Sequence, residues 1–230
     1  MTAPADGDDM AIDCEPLDFD DPWPYENGFY LTSHPSRIGK LLAHYELYKR
    51  IVDLPGHIVE CGVLKGASLV RFATFRQLLE SPHSRRIIAF DAFGKFPTTG
   101  DSGDDGFIAN FEAVAGPGFS VDELQAVLRH KQFADIELVA GDIVVTVPRY
   151  VDEHPELKIA LLHLDVDVYR PTQVVLERLY DRLVSGGLLV LDDYGTVAGE
   201  TRAVDEFFRD RGATVRKLPL AHIPAFVCKP

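Results

Sequence analysis

Short apolar runs alternate with stretches of helical periodicity along most of the chain. Five of the runs end at or beside a polar residue and predict buried strands. They are His57–Cys61, Arg86–Asp91, Ile136–Ala140, Ile159–Asp165 and Gly187–Asp192. Strands that alternate with helices predict βαβ units joined by right-handed crossovers, and therefore a parallel sheet.

Apolar residues that recur every three or four positions predict five helices. The first begins at Ser36, a residue type that caps helix N-termini, and ends near Pro55. The other four are Leu69–Leu79, Val121–Phe133, Pro171–Val184 and Thr201–Arg211. The segment Phe93–Ser120 is rich in Gly and Asp, and it is predicted to be an irregular loop with a functional role.

The end of the chain departs from this alternation. Thr214–Leu218 and Ala225–Lys229 both have strand patterns, and a short prolyl connection separates them. This spacing predicts an antiparallel pair that closes the sheet. The predicted fold class is therefore α/β, with a mostly parallel seven-stranded sheet, an antiparallel C-terminal strand and helices on both faces.

Composition and charge divide the chain into two parts. Apolar residues make up 46% of the 230 positions, which is enough for one domain with a sizeable core. The formal net charge of −13 argues against nucleic acid or an anionic membrane as a partner. Nine of the 36 carboxylates precede Arg37, which is the first Lys or Arg of the chain. We therefore predict an acidic, flexible N-terminal arm over residues 1–27 and a single domain over residues 28–230.

The spacing of the cysteines and the hydropathy of the chain indicate its cellular compartment. Cys14, Cys61 and Cys228 lie far apart and form no C-x-x-C motif, so neither a disulfide framework nor a zinc site is predicted. No apolar run approaches the ~18 residues of a membrane span. These features predict a cytoplasmic protein without a membrane partner.

Carboxylates stand at the end of almost every predicted strand. Ligands of open parallel sheets bind beyond the carboxyl ends of the strands, so these side chains are expected at a ligand site. The residues are Glu60, Asp91, Asp142, Asp165, Asp167, Asp192 and Asp193. Because like charges repel one another, this edge is expected to hold cations or hydrogen-bond donors.

The first strand runs into a glycine loop, Glu60-Cys-Gly-Val-Leu-Lys-Gly-Ala-Ser68. The loop matches neither G-x-G-x-x-G nor a P-loop, which leaves two interpretations, a structural turn or a ligand loop. A carboxylate beside the loop would repel a pyrophosphate but could hold the ammonium group of an amino-acid-bearing cofactor. Asp91 stands where adenosine cofactors have their ribose bound, and Gly141-Asp142 is either an adenine contact or a plain turn.

Two acidic pairs lie at the ends of the fourth and fifth strands, Asp165-Val-Asp167 and Asp192-Asp193. Carboxylates from adjacent strands would converge, and oxygen ligands of this kind suit a hard octahedral cation such as Mg²⁺. The alternative is structural. In that case Asp192 and Asp193 would cap the next helical segment, and Asp167 would pair with Arg170.

Five segments together resemble the macrocin O-methyltransferase family. They are IVECGVLKGAS from Ile58, FDAFGKFP from Phe90, GDIVVTVP from Gly141, LDVDVYRPT from Leu164 and GGLLVLDDY from Gly186. They stand in the family's order, and the resemblance covers residues 28–230. It implies a Rossmann-like class I methyltransferase fold, S-adenosylmethionine (SAM) as methyl donor, and Mg²⁺-dependent methylation of a hydroxyl, often on a deoxysugar of a natural product.

The resemblance also implies roles for individual residues. The metal ligands would be Asp165, Asp192 and Asp193, and the general base would be Asp167. Cofactor contacts would be Glu60, Gly62 and Ser68 around the methionine moiety, Asp91 at the ribose and Asp142 at the adenine. The chain departs from the family at Leu64 and Ala67, where Trp and Gly are common.

The expected acceptor is a small molecule with a free hydroxyl, either a glycosylated natural product or a nucleotide sugar. Tyr169, Arg170 and Tyr194 flank the metal motifs and are candidate acceptor contacts. Two other functions compete with methyl transfer. One is a metal-dependent nucleotide-sugar transferase that uses Asp-x-Asp, and the other is a non-catalytic SAM-binding protein. The sequence leaves open which acceptor is used and whether the chain forms a homo-oligomer.

Overall fold

The computed structural model describes residues 17–98 and 102–230, which contain one seven-stranded sheet. The strands are β1 (His57–Cys61), β2 (Ile87–Asp91), β3 (Ile136–Ala140), β4 (Ile159–Leu164), β5 (Leu183–Leu191), β6 (Arg216–Lys217) and β7 (Ala225–Cys228). They lie in the order β3-β2-β1-β4-β5-β7-β6. Strands β1 to β5 pair in parallel, β7 pairs antiparallel with β5, and β6 pairs antiparallel with β7. The predicted mostly parallel sheet with an antiparallel C-terminal strand is confirmed.

Eight α-helices lie within the described ranges. They are α1 (Trp23–Thr32), α2 (Pro35–Tyr48), α3 (Ala67–Leu79), α4 (Ser102–Ala115), α5 (Val121–His130), α6 (Ile143–Glu153), α7 (Tyr169–Leu179) and α8 (Ala198–Phe208). A 3₁₀ turn, Tyr180–Arg182, joins α7 to β5.

Two apolar clusters hold the helices against the sheet. In one cluster, α2, α3 and α5 contribute buried side chains such as Tyr48, Phe72 and Leu124. In the other, α6 and α7 contribute Tyr150 and Val175, and α8 packs beside them. Each fully buried side chain of this size stabilises the fold by about 1.5–3 kcal/mol. Helices cover both faces of the sheet, as predicted. Their packing fixes the positions of the strand ends where the candidate site lies.

The start of α2 differs from the prediction by two residues. His34, not Ser36, is the N-cap, and its Nδ1 accepts a hydrogen bond from the Ser36 backbone N–H at 3.2 Å. Pro35 takes the first helical position, where its missing N–H costs nothing. The proline therefore extends the helix beyond the expected cap.

The end of α2 lies at Tyr48, well before the predicted end near Pro55. The carbonyls that a longer helix would use are instead taken by the buried Arg85. Its guanidinium donates to the carbonyls of Ile51 and Gly56, at 3.1 Å each, and it pairs with Glu80 at 2.8 Å. A side chain distant in sequence thus satisfies this turn.

Helix α4 overturns part of the loop prediction. The segment Phe93–Ser120 is not irregular throughout, because Ser102–Ala115 is helical. Asp104 and Asp105 in its first turn suit the positive end of the helix dipole. Glycines at positions 103 and 106 hide this helix in the sequence pattern, and residues 99–101 lie outside the described part of the chain.

Helix α6 is absent from the sequence prediction for a clear physical reason. Its first five residues are all β-branched and Pro148 comes next, a composition that disfavours a helix. Asp142 starts the helix, because its side chain accepts a hydrogen bond from the Val144 N–H at 2.9 Å. Burial of Val147 and Tyr150 against the sheet then outweighs the local preference.

The predicted N-terminal arm lies largely outside the described residues, which begin at Leu17. Helix α1 begins at Trp23, inside the predicted arm, and has no buried residue. The division at residue 27 stays a prediction. No helix in the described part of the chain combines the length and the apolar character needed to cross a membrane.

Candidate active site

The carboxyl ends of β2, β1 and β4 meet at one edge of the sheet, and Gly62 is the residue that lets their loops approach. Its N–H donates to the Phe90 carbonyl at 2.9 Å, and its φ is +89°. A Cβ at this position would lie 1.7 Å from the backbone oxygen of Asp165. The first loop of the site thus requires glycine because it crosses the end of β4.

A cleft of about 230 Å³ opens beside this crossing. Its walls come from the loops after β1, β2, β3 and β4 and from helix α4. The lining includes Gly62, Asp91, Phe96, Phe111, Asp142, Ile143, Asp165, Asp167 and Arg170. The cleft therefore gathers five of the predicted site residues and the candidate acceptor contact Arg170.

Asp91 organises two loops at the cleft. Its Oδ2 accepts hydrogen bonds from the N–H groups of Val63 (2.6 Å) and Leu64 (3.1 Å), and its Oδ1 accepts one from Phe93 (2.6 Å). These bonds hold the glycine loop in place and orient the carboxylate. Asp142 caps α6, and its side chain lies in the cleft wall.

Glu60 and Ser68 lie outside the cleft lining. Glu60 is fully buried, and its Oε1 lies 3.2 Å from Nδ1 of His163. Its Oε2 has no hydrogen-bond donor within the described ranges. Ser68 is buried in the first turn of α3. Their predicted contact with the methionine moiety stays a prediction.

Three carboxylates converge between β4 and β5. One oxygen each from Asp165, Asp167 and Asp193 lies within 4.8 Å of the others. Burial and the charge of Asp165 raise the pKa of Asp167 to about 7, and burial and the charge of Asp167 raise the pKa of Asp193 to about 7. Burial, with the charges of Asp192 and Asp193, raises the pKa of Asp165 well above its ordinary range. The positively charged groups around the cluster therefore do not fully balance its negative charge.

Asp167 has an unusual backbone conformation. Its φ is +62°, in the left-handed region that Asp and Asn tolerate better than other side chains. The side chain is 8% exposed, and the backbone carbonyl accepts a hydrogen bond from the Glu200 N–H at 3.0 Å. The sharp turn after β4 aims this carboxylate back toward Asp165 and Asp193.

Asp192 belongs to a different set of contacts. It forms an ion pair with Lys40, and its Oδ1 lies 3.4 Å from Nε2 of His163 and 3.5 Å from Nε2 of His44. Burial alone would raise the pKa of Asp192, but His163, His44 and Lys40 together hold it well below its ordinary range. The resemblance implies that Asp192 joins Asp165 and Asp193. In the structure an oxygen of Asp167 also lies beside them, and Asp192 contacts Lys40 and the two histidines. The metal-ligand role of Asp192 stays a prediction.

The two buried histidines differ in charge. Burial lowers the pKa of His44 to about 4, so this ring is neutral. Burial also opposes a charge on His163, but its hydrogen bonds to Asp192 and Glu60 outweigh it and raise the pKa of His163 to about 10. The contacts of Asp192 with Lys40 and His163 therefore form an ion-pair network.

Four residues of the site are absent from the sequence prediction, Lys40, His44, His163 and Glu200. His163 is the one polar residue that interrupts the apolar run of β4, which is a detectable signal. Lys40 and His44 share one face of α2, four positions apart. Glu200 is buried on the same side of α8 as Ala203 and Val204, and its Oε1 accepts a hydrogen bond from the Asp193 N–H at 3.1 Å.

The candidate acceptor contacts are divided between two places. Arg170 lines the cleft and donates to Gln173 Oε1 at 2.7 Å. Tyr169 and Tyr194 instead bind residues of α8, because their hydroxyls donate to Glu206 (2.6 Å) and Asp205 (2.7 Å). Acceptor contact by these three residues stays a prediction, and the structure favours Arg170.

Comparison with known proteins places this arrangement in a family. The model of the macrocin O-methyltransferase family matches residues 37–226. The chain belongs to this family. Membership confirms the resemblance carried by the five sequence segments.

Two curated relatives come from Streptomyces. Demethyldecarbamoylnovobiocin O-methyltransferase of Streptomyces niveus is 26% identical over 160 residues, which are 67% of this chain and 59% of that protein. A tetracenomycin rhamnosyl 4'-O-methyltransferase of Streptomyces olivaceus is 27% identical over 148 residues, 61% of this chain and 54% of that protein. The matches span less than two thirds of either relative.

Solved structures share the fold. The calicheamicin methyltransferase CalS11 is 30% identical, with a TM-score of 0.69 over 91% of this chain and 87% of that chain. A second structure of CalS11 names it a TDP-rhamnose 3'-O-methyltransferase. The O-methyltransferase NovP is 20% identical, with a TM-score of 0.72 over 84% of this chain and 80% of that chain. The Rossmann-like class I methyltransferase fold is confirmed.

Proposed function

We propose that the protein transfers a methyl group from SAM to a sugar hydroxyl of a small molecule in a Mg²⁺-dependent reaction. The observation that carries this proposal is the carboxylate cluster of Asp165, Asp167 and Asp193, two of which, Asp165 and Asp167, line the cleft. Family membership supports methyl transfer over the competing nucleotide-sugar transferase. Relatives named for rhamnose-type substrates support a sugar as the acceptor.

The cleft suits an adenosine-bearing cofactor. It lies at the carboxyl ends of β1, β2 and β3, where open parallel sheets bind such ligands. Asp91 would hold the ribose hydroxyls, because its carboxylate is already oriented by three N–H groups. Asp142 would contact the adenine, and Gly62 lets its loop cross the end of β4 beside the cleft.

The carboxylate cluster suits a hard divalent cation. All of its donors are oxygens, which Mg²⁺ prefers over softer ligands. The buried Oδ2 of Asp193 has no hydrogen-bond donor within the described residues, and the Oε2 of Glu200 also lacks one. A buried acceptor without a donor costs about 1–3 kcal/mol, which a cation would offset. Asp165 and Asp193 would hold it, and Asp167, which has an oxygen within 4.8 Å of theirs, would serve as the base.

The chain's own residues provide positioning and proton transfer. When bound, SAM supplies the electrophilic methyl group, and Mg²⁺ lowers the pKa of the acceptor hydroxyl. Asp167 accepts the hydroxyl proton, since its pKa of about 7 suits a general base that works near neutral pH. The turn at Asp167 fixes the carboxylate relative to the cleft, and such fixed geometry supplies much of the rate enhancement.

The test is Asp167→Asn, assayed with radiolabelled SAM on a panel of nucleotide sugars and glycosides, with Mg²⁺ or EDTA. Asn tolerates the left-handed φ of this position, so the variant should fold and bind S-adenosylhomocysteine normally. Turnover should fall by at least about a hundredfold, the usual contribution of a general base.

The matched control is Asp135→Asn, because Asp135 also has a left-handed φ, +51°, but is an exposed residue away from the cleft. It should keep full turnover. An unimpaired Asp167→Asn variant would remove Asp167 as the base. Loss of calorimetric Mg²⁺ binding in Asp167→Asn would instead make it a metal ligand. Cofactor binding without turnover on any acceptor by the unmodified protein would favour the non-catalytic alternative.

A further inference from the structure

Glu200 is a fully buried carboxylate in the first turn of α8, a place where glutamate is usually exposed. It occupies the third position of the helix. A glutamate at this position commonly reaches back to the N–H of the N-cap residue, three positions earlier. Here the N-cap is Val197, and its N–H donates to the Asp193 carbonyl at 3.0 Å. The Glu200 side chain therefore does not serve the usual capping role.

Glu200 instead contacts both of the acidic turns that form the site. Its backbone N–H donates to the carbonyl of Asp167 at 3.0 Å. Its Oε1 accepts a hydrogen bond from the N–H of Asp193 at 3.1 Å. Asp167 is the proposed base, and Asp193 is a proposed ligand of the cation. One residue of α8 thus joins the turn that follows β4 to the turn that follows β5.

The neighbouring Gly199 shows how closely α8 approaches the Asp167 turn. A Cβ at Gly199 would lie 2.7 Å from the backbone nitrogen of Tyr169 and 3.0 Å from the carbonyl oxygen of Asp167. Only glycine permits such an approach between two backbone segments. Backbone contacts therefore hold the start of α8 against the Asp167 turn, and the contact that depends on the Glu200 side chain is the one with Asp193.

We propose that Glu200 is a positioning residue that holds Asp193 in the geometry needed to bind the cation beside Asp167. This inference rests on the proposed function and adds a residue to it. The buried Oδ2 of Asp193 has no hydrogen-bond donor in the described part of the chain, so no hydrogen bond to that oxygen orients the side chain. The Glu200 carboxylate fixes the Asp193 backbone instead. Contacts that orient a metal ligand typically contribute about ten- to a hundredfold in metal affinity or activity.

The experiment compares Glu200→Gln with Glu200→Met. Glutamine keeps an oxygen for the Asp193 N–H, and methionine fills the same buried space without one. Calorimetry measures Mg²⁺ binding, and methyl transfer from radiolabelled SAM is measured with an acceptor from the panel used for Asp167→Asn. Glu200→Met should weaken Mg²⁺ binding and lower kcat by at least about tenfold each. Glu200→Gln should stay within about threefold of the unmodified protein in both.

The KM for SAM separates positioning from a general loss of structure. Glu200 does not line the cofactor cleft, so both variants should keep the KM of the unmodified protein. The matched control is Thr201→Val, at the next residue of α8. The Thr201 hydroxyl accepts a hydrogen bond from the Gly195 N–H at 2.9 Å, in the same loop but beyond the proposed metal ligand. Its loss should change the Mg²⁺ affinity by less than about twofold.

The glutamine variant keeps the inference open to refutation if methionine prevents folding, which thermal unfolding would show. In that case an unchanged Mg²⁺ affinity of Glu200→Gln supports the hydrogen bond to Asp193, and a tenfold loss in this folded variant overturns it. If both variants fold, equal losses in the two, or no loss in Glu200→Met, would also overturn the inference.

Titration of S-adenosylhomocysteine and Mg²⁺ into the unmodified protein separates the two proposals. If either fails to bind, the proposed function is wrong, and the inference fails with it. If both bind and the unmodified protein transfers methyl groups, but Glu200→Met behaves like Thr201→Val, only the role of Glu200 is wrong.

Discussion

Replacing Lys40 with methionine should destabilise the metal-free protein and make it more responsive to Mg²⁺. Asp192 is 2% exposed and Lys40 18% exposed, so their ion pair is shielded from water. Burial works against the charged ammonium, but the charges of Asp192 and Asp165 outweigh it and raise the pKa of Lys40. Methionine keeps the apolar stem and removes only the charge.

The size of the effect depends on the partners that Asp192 keeps. Removing one partner of a fully buried ion pair costs about 3–5 kcal/mol. His163 still faces the carboxylate, at 3.4 Å, so we expect a smaller loss of about 2–3 kcal/mol in the free energy of unfolding. For a domain of this size each kcal/mol lowers the unfolding midpoint by about 2–4 °C, which gives a decrease of about 4–12 °C.

The assay is thermal unfolding with EDTA and with Mg²⁺. A divalent cation near Asp165 and Asp193 would replace the lost positive charge, so Mg²⁺ should raise the midpoint of Lys40→Met more than that of the unmodified protein. A tighter calorimetric dissociation constant for Mg²⁺ should accompany this change, since ligand stabilisation grows with affinity.

The control is Lys49→Met, just after α2. Lys49 pairs with Glu46 at 2.8 Å on the exposed surface, where such pairs contribute less than about 1 kcal/mol. If Lys40→Met in EDTA loses no more stability than Lys49→Met, Lys40 is not the counter-charge of Asp192. An unchanged response to Mg²⁺ would separate Lys40 from the cation site.

Two further predictions concern the loop and the carboxylates. Gly62→Ala should destabilise the fold more than Gly212→Ala in chemical unfolding. Both substitutions add a left-handed backbone strain of about 1–2 kcal/mol, but only a side chain at position 62 also collides with the Asp165 backbone. Equal losses of stability would contradict this close approach. In EDTA, the unfolding midpoint should fall as the pH rises from about 4 to 7, because the folded protein keeps protons on Asp167 and Asp193 that the unfolded chain has released. A midpoint that rises or stays constant over this range, measured by scanning calorimetry, would show that burial does not raise these pKa values.

The sheet could be predicted from the sequence because each buried parallel strand is a nearly continuous apolar run. All five predicted parallel strands are present, although β5 begins at Leu183, four residues before the predicted start. Helices with a conflicting local signal could not be predicted. The β-branched start of α6 is stabilised by tertiary burial of residues such as Val147, and a pattern of neighbouring residues does not contain that information.

The candidate site shows the same division. The carboxylates could be found because they close strands whose ends meet at one edge. Their charge partners could not, since Lys40 lies 152 positions before Asp192 and reaches it through packing of α2 on the sheet. The geometry also changes the grouping of the acids. The left-handed turn at Asp167 explains how that residue also comes to lie beside Asp165 and Asp193.

The carboxylates of the site differ in how well nearby positive groups balance their charge, and this difference determines where a bound cation would stabilise the protein most. Asp192 already has Lys40, His163 and His44 around it, so its carboxylate is satisfied without a metal ion. Asp193 has a buried oxygen without a donor among the described residues, and its pKa of about 7 reflects the same shortage of positive charge. Because the gain from binding a cation is largest where compensation is weakest, Mg²⁺ should bind first to the oxygens of Asp193 and its neighbour Asp165. Asp192 can become a ligand, as the family resemblance implies, only by giving up its pair with Lys40. If Mg²⁺ binds as proposed, it would therefore have to compete with this one ammonium group to recruit Asp192.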